Sequence, residues 1–222
     1  VVIFARLSTA VIENATFKND KRVDWGLIYG RDAFIVINST TIANITSRYA
    51  TAVYNTGYLI VTRSKFINLS ANFTAGAIAA KEAKVVRVDN CEFINVTSLR
   101  NGGAIFFDLN GDKGSSEADC LIYMCSFANC SSQFGGAILQ LGGALNVSLS
   151  NFTGNTAWID GGAVYASNAT LEASGNIFDS NAAYYGSGGA IFFDYGSLEI
   201  EDSIFVNNTA WEGASLYAYD AL

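Results

Sequence analysis

The sequence predicts an all-β fold, a right-handed parallel β-helix (β-solenoid) of about eight coils, on three observations. A Gly-Gly-Ala-[Ile/Val] motif recurs at Gly102–Ile105, Gly135–Ile138, Gly161–Val164 and Gly188–Ile191, with weaker copies at Gly26–Tyr29, Thr51–Tyr54, Ala75–Ile78 and Gly213–Leu216. An apolar anchor followed by Asn recurs at Phe17, Ile42, Phe66, Phe93, Phe127, Phe152, Phe178 and Phe205, in constant phase with the first motif. Both keep a step of roughly 25 residues, and a fixed period of that size is the signature of stacked repeats.

The anchors are separated by 25, 24, 27, 34, 25, 26 and 27 residues, so one coil carries an insertion, at about residues 108–119, in a single domain over residues 1–222. Seven and five residues before each anchor stand apolar pairs such as Ile35/Ile37, Leu59/Val61 and Val86/Val88, and a spacing of two marks a strand with one buried face. Like strands a coil apart can pair only in parallel, and parallel crossovers are right-handed. The Gly-Gly pair suits a tight corner, since Gly takes positive φ without a Cβ clash. Two places before the anchors runs a row of small or polar residues, Ala15, Thr40, Ser64, Cys91, Cys125, Ser150, Asn176 and Ser203. Six or seven places after them runs an aromatic row, Tyr49, Phe73, Leu99, Phe134, Trp158, Tyr184 and Trp211, with Trp25 one place further on. Packing is the plain reading of that row; a polysaccharide surface is the other, if the Trp rings face solvent.

Half of the 222 residues are hydrophobic and 15% charged, which describes a folded chain. A net charge of −7 argues against nucleic acid and anionic membranes, which need clustered Lys and Arg. No apolar run approaches the ~18 residues of a membrane span. His and Pro are absent, so the commonest acid-base and metal-ligand side chain is missing and turns fall to Gly and Asn.

Repeated Gly-Gly-Ala-[Ile/Leu/Val] with Phe-x-x-Asn resembles the polymorphic outer-membrane proteins of chlamydiae and similar adhesin-like β-helix proteins, over nearly the whole chain. The resemblance implies a passenger-like surface β-helix with a role in adhesion. The clean form stands at Phe152–Asn155, Phe178–Asn181 and Phe205–Asn208, whereas earlier coils place Asn one residue sooner, at Asn19, Asn44, Asn68, Asn95 and Asn129. The family's membrane barrel has no counterpart in the sequence, so self-anchoring does not carry over.

Eleven Asn-x-Ser/Thr sequons, Asn14, Asn38, Asn44, Asn68, Asn72, Asn95, Asn129, Asn146, Asn151, Asn168 and Asn207, stand where random placement gives about three. They point to a secreted, N-glycosylated chain. For Asn44, Asn68, Asn95, Asn129 and Asn207, which share one coil position, a buried amide ladder is an equal alternative. Four Cys in a secreted chain suggest two disulfides; Cys91–Cys125 share a ladder position in neighbouring coils, about 4.8 Å apart, leaving Cys120–Cys130. Buried free thiols are the other reading. In the insertion, Asp108, Asn110, Asp112 and Asp119 alternate oxygen donors in the manner of a calcium loop, with a plain solvated loop as the alternative. No other cofactor is expected. Carboxylate pairs for glycosidic chemistry, Asp108 with Asp194 and Asp160 with Glu212, fall three and two coils apart, so no catalytic residue is nominated.

Neither end carries a polar or helical cap, which predicts continuation beyond the segment or self-association through uncapped coils, head to tail, into a filament. The functional expectation is a non-enzymatic extracellular structural glycoprotein, a scaffold at a cell surface or in a fibre. A fragment of a long β-helical adhesin and a polysaccharide-binding or polysaccharide-degrading protein are the alternatives.

Overall fold

A computed structural model describes residues 2–110 and 119–221, with residues 21–23 described by their backbone alone. Every regular element among them is a strand, and the strands stack as a solenoid of about eight coils with three faces. Face A contains Ile3–Arg6, Ile28–Arg31, Val53–Asn55, Ile78–Lys81, Ile105–Asp108 and Ile138–Leu141. Face B contains Thr9–Glu13, Phe34–Asn38, Tyr58–Thr62, Val85–Asp89, Asp119–Tyr123 and Ala144–Ser148. Val164–Ser174 and Ile191–Glu201 run from face A into face B without a break and join the two into one 15-stranded sheet; face C is a separate 12-stranded sheet.

All the pairings are parallel, and the register follows the repeat: Ile78 lies beside Ile105, Ile105 beside Ile138, and Ile138 beside Val164. The insertion leaves this intact, because Val85 pairs with Asp119 and Asp119 with Ala144. The strands on either side, Ile105–Asp108 on face A and Asp119–Tyr123 on face B, keep the register of their neighbours.

The anchors form the spine of the core. Phe66, Phe93, Phe127, Phe152 and Phe178 are buried, with ring centroids 4.8 Å apart at each step and planes within 9° of parallel. This is the strand spacing carried into the side chains. The apolar pairs of face B, such as Ile35 and Ile37, point inward beside them.

The two glycines of each corner have different duties. The first takes the left-handed conformation, with φ of 61° at Gly135. The second does not need it; it is required by close approach, since a Cβ on Gly136 would sit 2.0 Å from the Gly162 carbonyl oxygen of the next coil. Positive φ is also far commoner outside glycine than the corner motif suggests. Asn14, Ser39, Arg63, Asn90, Met124, Leu149 and Asp202 all adopt it at the corner between faces B and C. The backbone N–H groups of all but Asp202 donate to the neighbouring coil, as Asn14 does to the Asn38 carbonyl at 3.1 Å. Cross-coil bonds at these corners offset much of the roughly 1–2 kcal/mol that a left-handed L-residue costs.

Candidate functional site

The asparagines fall into two sets with opposite environments. Two places after the anchors, Asn19, Asn44, Asn68, Asn95, Asn129 and Asn207 have φ between 52° and 61° and side chains in solvent. The expected ladder exists here but on the outside: Asn95 Nδ2 donates to Asn68 Oδ1 at 3.1 Å, Asn68 to Asn44 at 3.0 Å, and Asn44 to Asn19 at 3.3 Å. That removes the buried-amide alternative at this position. The buried ladder lies one residue later, at Asn155, Asn181 and Asn208. There Asn181 Oδ1 accepts from the N–H and Nδ2 of Asn155 at 3.0 and 2.9 Å, while Asn181 Nδ2 donates to the Phe152 carbonyl and to Asn208 Oδ1, both at 3.0 Å.

Local backbone explains the change from Ile45, Leu69 and Val96 to Asn at this inward position. In the earlier coils face C runs unbroken through the corner, as Thr41–Ser47, Lys65–Ala71 and Glu92–Ser98. In the later coils it splits, as in Asn151–Thr153 and Thr156–Ala157, and the asparagine amides bond the backbone groups that the broken ladder leaves over.

All four cysteines are free and buried, in place of the two expected disulfides. Cys91 and Cys125 are neighbours, as their shared position requires, but each thiol acts as the hydroxyls of its row do. Cys91 Sγ receives the Ser64 N–H at 3.5 Å and donates to the Asp89 carbonyl at 3.2 Å; Ser150 Oγ receives the Cys125 N–H at 3.0 Å and donates to the Ser148 carbonyl at 2.9 Å. Cys120 and Cys130 belong to different faces, Cys120 between Val86 and Leu145 on face B and Cys130 beneath Asn155, whose Oδ1 accepts its N–H at 2.9 Å. A bridge between them would have to span the corner between the two faces.

The hydrogen bond with Cys125, followed by burial, pushes the Cys91 thiol up, and burial pushes Cys120 and Cys130 each up to about 12 from 9.0. In the unfolded chain these two thiols ionise near 9, whereas in the folded chain they keep their protons to about 12. Their contribution to stability is therefore complete below about pH 9 and is lost as pH rises towards 12. Cys130→Ala is expected to flatten the alkaline fall in the unfolding free energy measured by urea titration, by on the order of 2 kcal/mol between pH 9 and 11. A fall as steep as in the unsubstituted chain would refute the assignment.

Of the calcium donors expected in the insertion, Asp112 lies outside the described residues. Asp108 pairs with Lys81 at 3.5 Å, Asp119 with Arg87 at 3.4 Å, and Asn110 Oδ1 accepts from Asn168 Nδ2 at 3.4 Å. Among the described residues no three His, Cys, Asp or Glu side chains gather as a metal site. Asp194 accepts from Ser167 Oγ at 3.5 Å, and Asp160 accepts the Ser187 N–H at 2.7 Å, with burial holding its carboxyl above the usual range.

The aromatic row divides in two. Tyr49, Phe73 and Phe134 are half-buried, with Trp25 stacked on Tyr49 at 4.2 Å. Over this part lie guanidinium groups: Arg48 is 5.5 Å from the Tyr49 ring and 5.7 Å from Phe73, and Arg100 is 5.2 Å from Phe73. Trp158, Tyr184 and Trp211 instead stand in solvent, joined by Tyr185, which is outside the expected row. The outer side of face A holds a further apolar seam that sequence reasoning missed, with Ala50, Ala75, Ala79, Phe106 and Leu139 buried between half-exposed aromatics. Its signal is the residue after each Ala-Ile pair, which is Tyr29, Tyr54, Phe106, Tyr165, Phe192 or Tyr217 in most coils.

Also legible, and missed, is the distribution of charge. All 13 Lys and Arg residues lie within residues 1–113, while 11 of the 20 acids follow Lys113. The later coils are therefore acidic, with no cation of their own.

A family model for the right-handed β-helix region matches residues 52–221. No curated protein and no solved structure matches the chain. With the repeat, the parallel register and the stacked core in agreement with that match, the chain belongs to the right-handed β-helix family.

Proposed function

We propose that this chain is an extracellular, N-glycosylated β-helix scaffold of a cell surface or fibre, acting through its walls and not by catalysis. The observation that carries the reading is the partition of asparagines. Every sequon Asn lies on the outside, nine exposed and Asn38 and Asn146 half-buried, whereas the buried Asn55, Asn155, Asn176, Asn181 and Asn208 begin no sequon. Left-handed backbone accounts for Asn at the repeated position and at Asn14 and Asn168, and the outward strand residue two places on accounts for Ser or Thr. It does not account for Asn38, Asn72, Asn146 or Asn151, where φ is not positive and a sequon still stands. Those four sites are the support for glycans that backbone geometry cannot replace.

An adhesin-like role fits the same exterior. Three of the four carboxylates considered for chemistry, Asp108, Asp160 and Asp194, face structural partners, which favours a scaffold over an enzyme. The test is secretion from a eukaryotic cell line followed by intact mass before and after peptide-N-glycosidase. Loss of several glycan masses, with at least two of Asn38, Asn72, Asn146 and Asn151 occupied on peptide mapping, is the expected result. An unchanged mass would overturn the reading.

A further inference from the structure

We propose that the corner bearing Trp158, Tyr184, Tyr185 and Trp211 is a docking surface for an arginine-rich polypeptide. The four side chains are 57%, 58%, 74% and 83% exposed, in three successive coils. The backbone beneath them is tied coil to coil: the Tyr185 N–H donates to the Trp158 carbonyl at 3.1 Å and the Trp211 N–H to the Gly186 carbonyl at 2.9 Å. The Trp158 and Tyr185 rings lie 5.9 Å apart and 11° from parallel, with Tyr184 tilted 59° to Trp158. Ten residues separate Phe178 from Gly188 in the middle coil, against nine from Phe152 to Gly161 and eight from Phe205 to Gly213, and this longer corner presents two tyrosines where its neighbours present one aromatic ring.

Two observations select the occupant. The first is charge complementarity, because residues 119–221 contain no Lys or Arg and carry ten Asp and Glu, among them Asp160 and Glu212 at this corner. A cation arriving here meets ring faces within an acidic field, the setting in which cation–π contacts strengthen. The second is the chain's own usage. In the earlier coils the same corner carries Arg48 and Arg100 over Tyr49 and Phe73, so guanidinium is the group this geometry stacks. Arg48 and Trp158 both stand six residues after their anchors, and the later coils thus keep the rings while lacking the guanidinium. A planar guanidinium can lie on a ring and donate to a carboxylate together.

The proposal does not depend on the sequons and can fail while the glycan reading stands. Fluorescence anisotropy of a labelled octa-arginine peptide, with octa-glutamate and cellohexaose as comparison ligands, tests it on the full chain. Octa-arginine is expected to bind, to weaken as salt is raised, and to lose about tenfold in affinity in the Trp158→Ala/Tyr185→Ala double variant, which keeps every charge. Both side chains are exposed, so the melting temperature of that variant serves as the folding check. Absence of binding, binding undiminished in the double variant, or preference for cellohexaose would each overturn the proposal.

Discussion

Gly136→Val is expected to destabilise the fold by at least about 4 kcal/mol. The glycine sits at a corner in the middle of the stack, and its Cα faces backbone that cannot give way. A Cβ there would lie 2.0 Å from the Gly162 carbonyl oxygen and 2.6 Å from that of Thr156. Those atoms belong to the next coil, so relief requires two coils to separate and breaks the parallel bonds on both sides. Gly175→Asn is the matched control. Gly175 has φ of 63°, and the nearest obstacle to its Cβ is the Leu149 Cδ2 at 2.8 Å, the far end of a flexible side chain. Other coils already hold non-glycine residues there, Asn14 and Asn90 among them, so a change within about 1 kcal/mol is expected. Urea titration followed by far-ultraviolet circular dichroism measures both. A Gly136→Val chain as stable as the control would show that the coils are not held in the tight contact described.

Asn181→Ala is expected to cost about 3–5 kcal/mol, more than most exposed substitutions by an order of magnitude. Truncation leaves the backbone N–H of Asn155 without its acceptor, Asn155 Nδ2 with only its bond to the Phe127 carbonyl, and the Phe152 carbonyl without the amide donor, all in the core. Each stranded group costs about 1–3 kcal/mol when water cannot reach it. Asn68→Ala removes an equivalent pair of contacts on the exterior, where solvent replaces them, so its expected cost is the roughly 1 kcal/mol of placing Ala at a left-handed position. Comparing the two by thermal and urea unfolding separates the inner ladder from the outer one. Equal costs would mean that the division of asparagines into buried and exposed sets is wrong.

Much of this architecture was legible in the sequence because a solenoid converts sequence period directly into spatial neighbours. The stack from Phe66 to Phe178, the paired residues of face B and the register kept on either side of the insertion all follow from residues recurring in one phase. The aromatic corner was partly legible: Trp158, Tyr184 and Trp211 are visible as a row, but Tyr185 comes into view only when the longer corner of its coil is counted.

What the sequence by itself determined is the coil, its period, its inward and outward residues and the sequons, since each depends on neighbours a fixed distance along the chain. Tertiary structure decided how those residues are used. Whether an Asn faces the core or solvent depends on one residue of phase at a corner: two places after the anchor Asn44, Asn129 and Asn207 point out, and three places after it Asn155, Asn181 and Asn208 point in. Whether two stacked cysteines can bridge depends on where the corner directs each Sγ, here towards the Asp89 and Tyr123 carbonyls. Whether an aromatic ring packs or stands free depends on what the adjoining coil places against it: an arginine over Tyr49 and Phe73, and none over Trp158 and Tyr185. These outcomes arise from contacts between coils, whose geometry a single repeat does not contain.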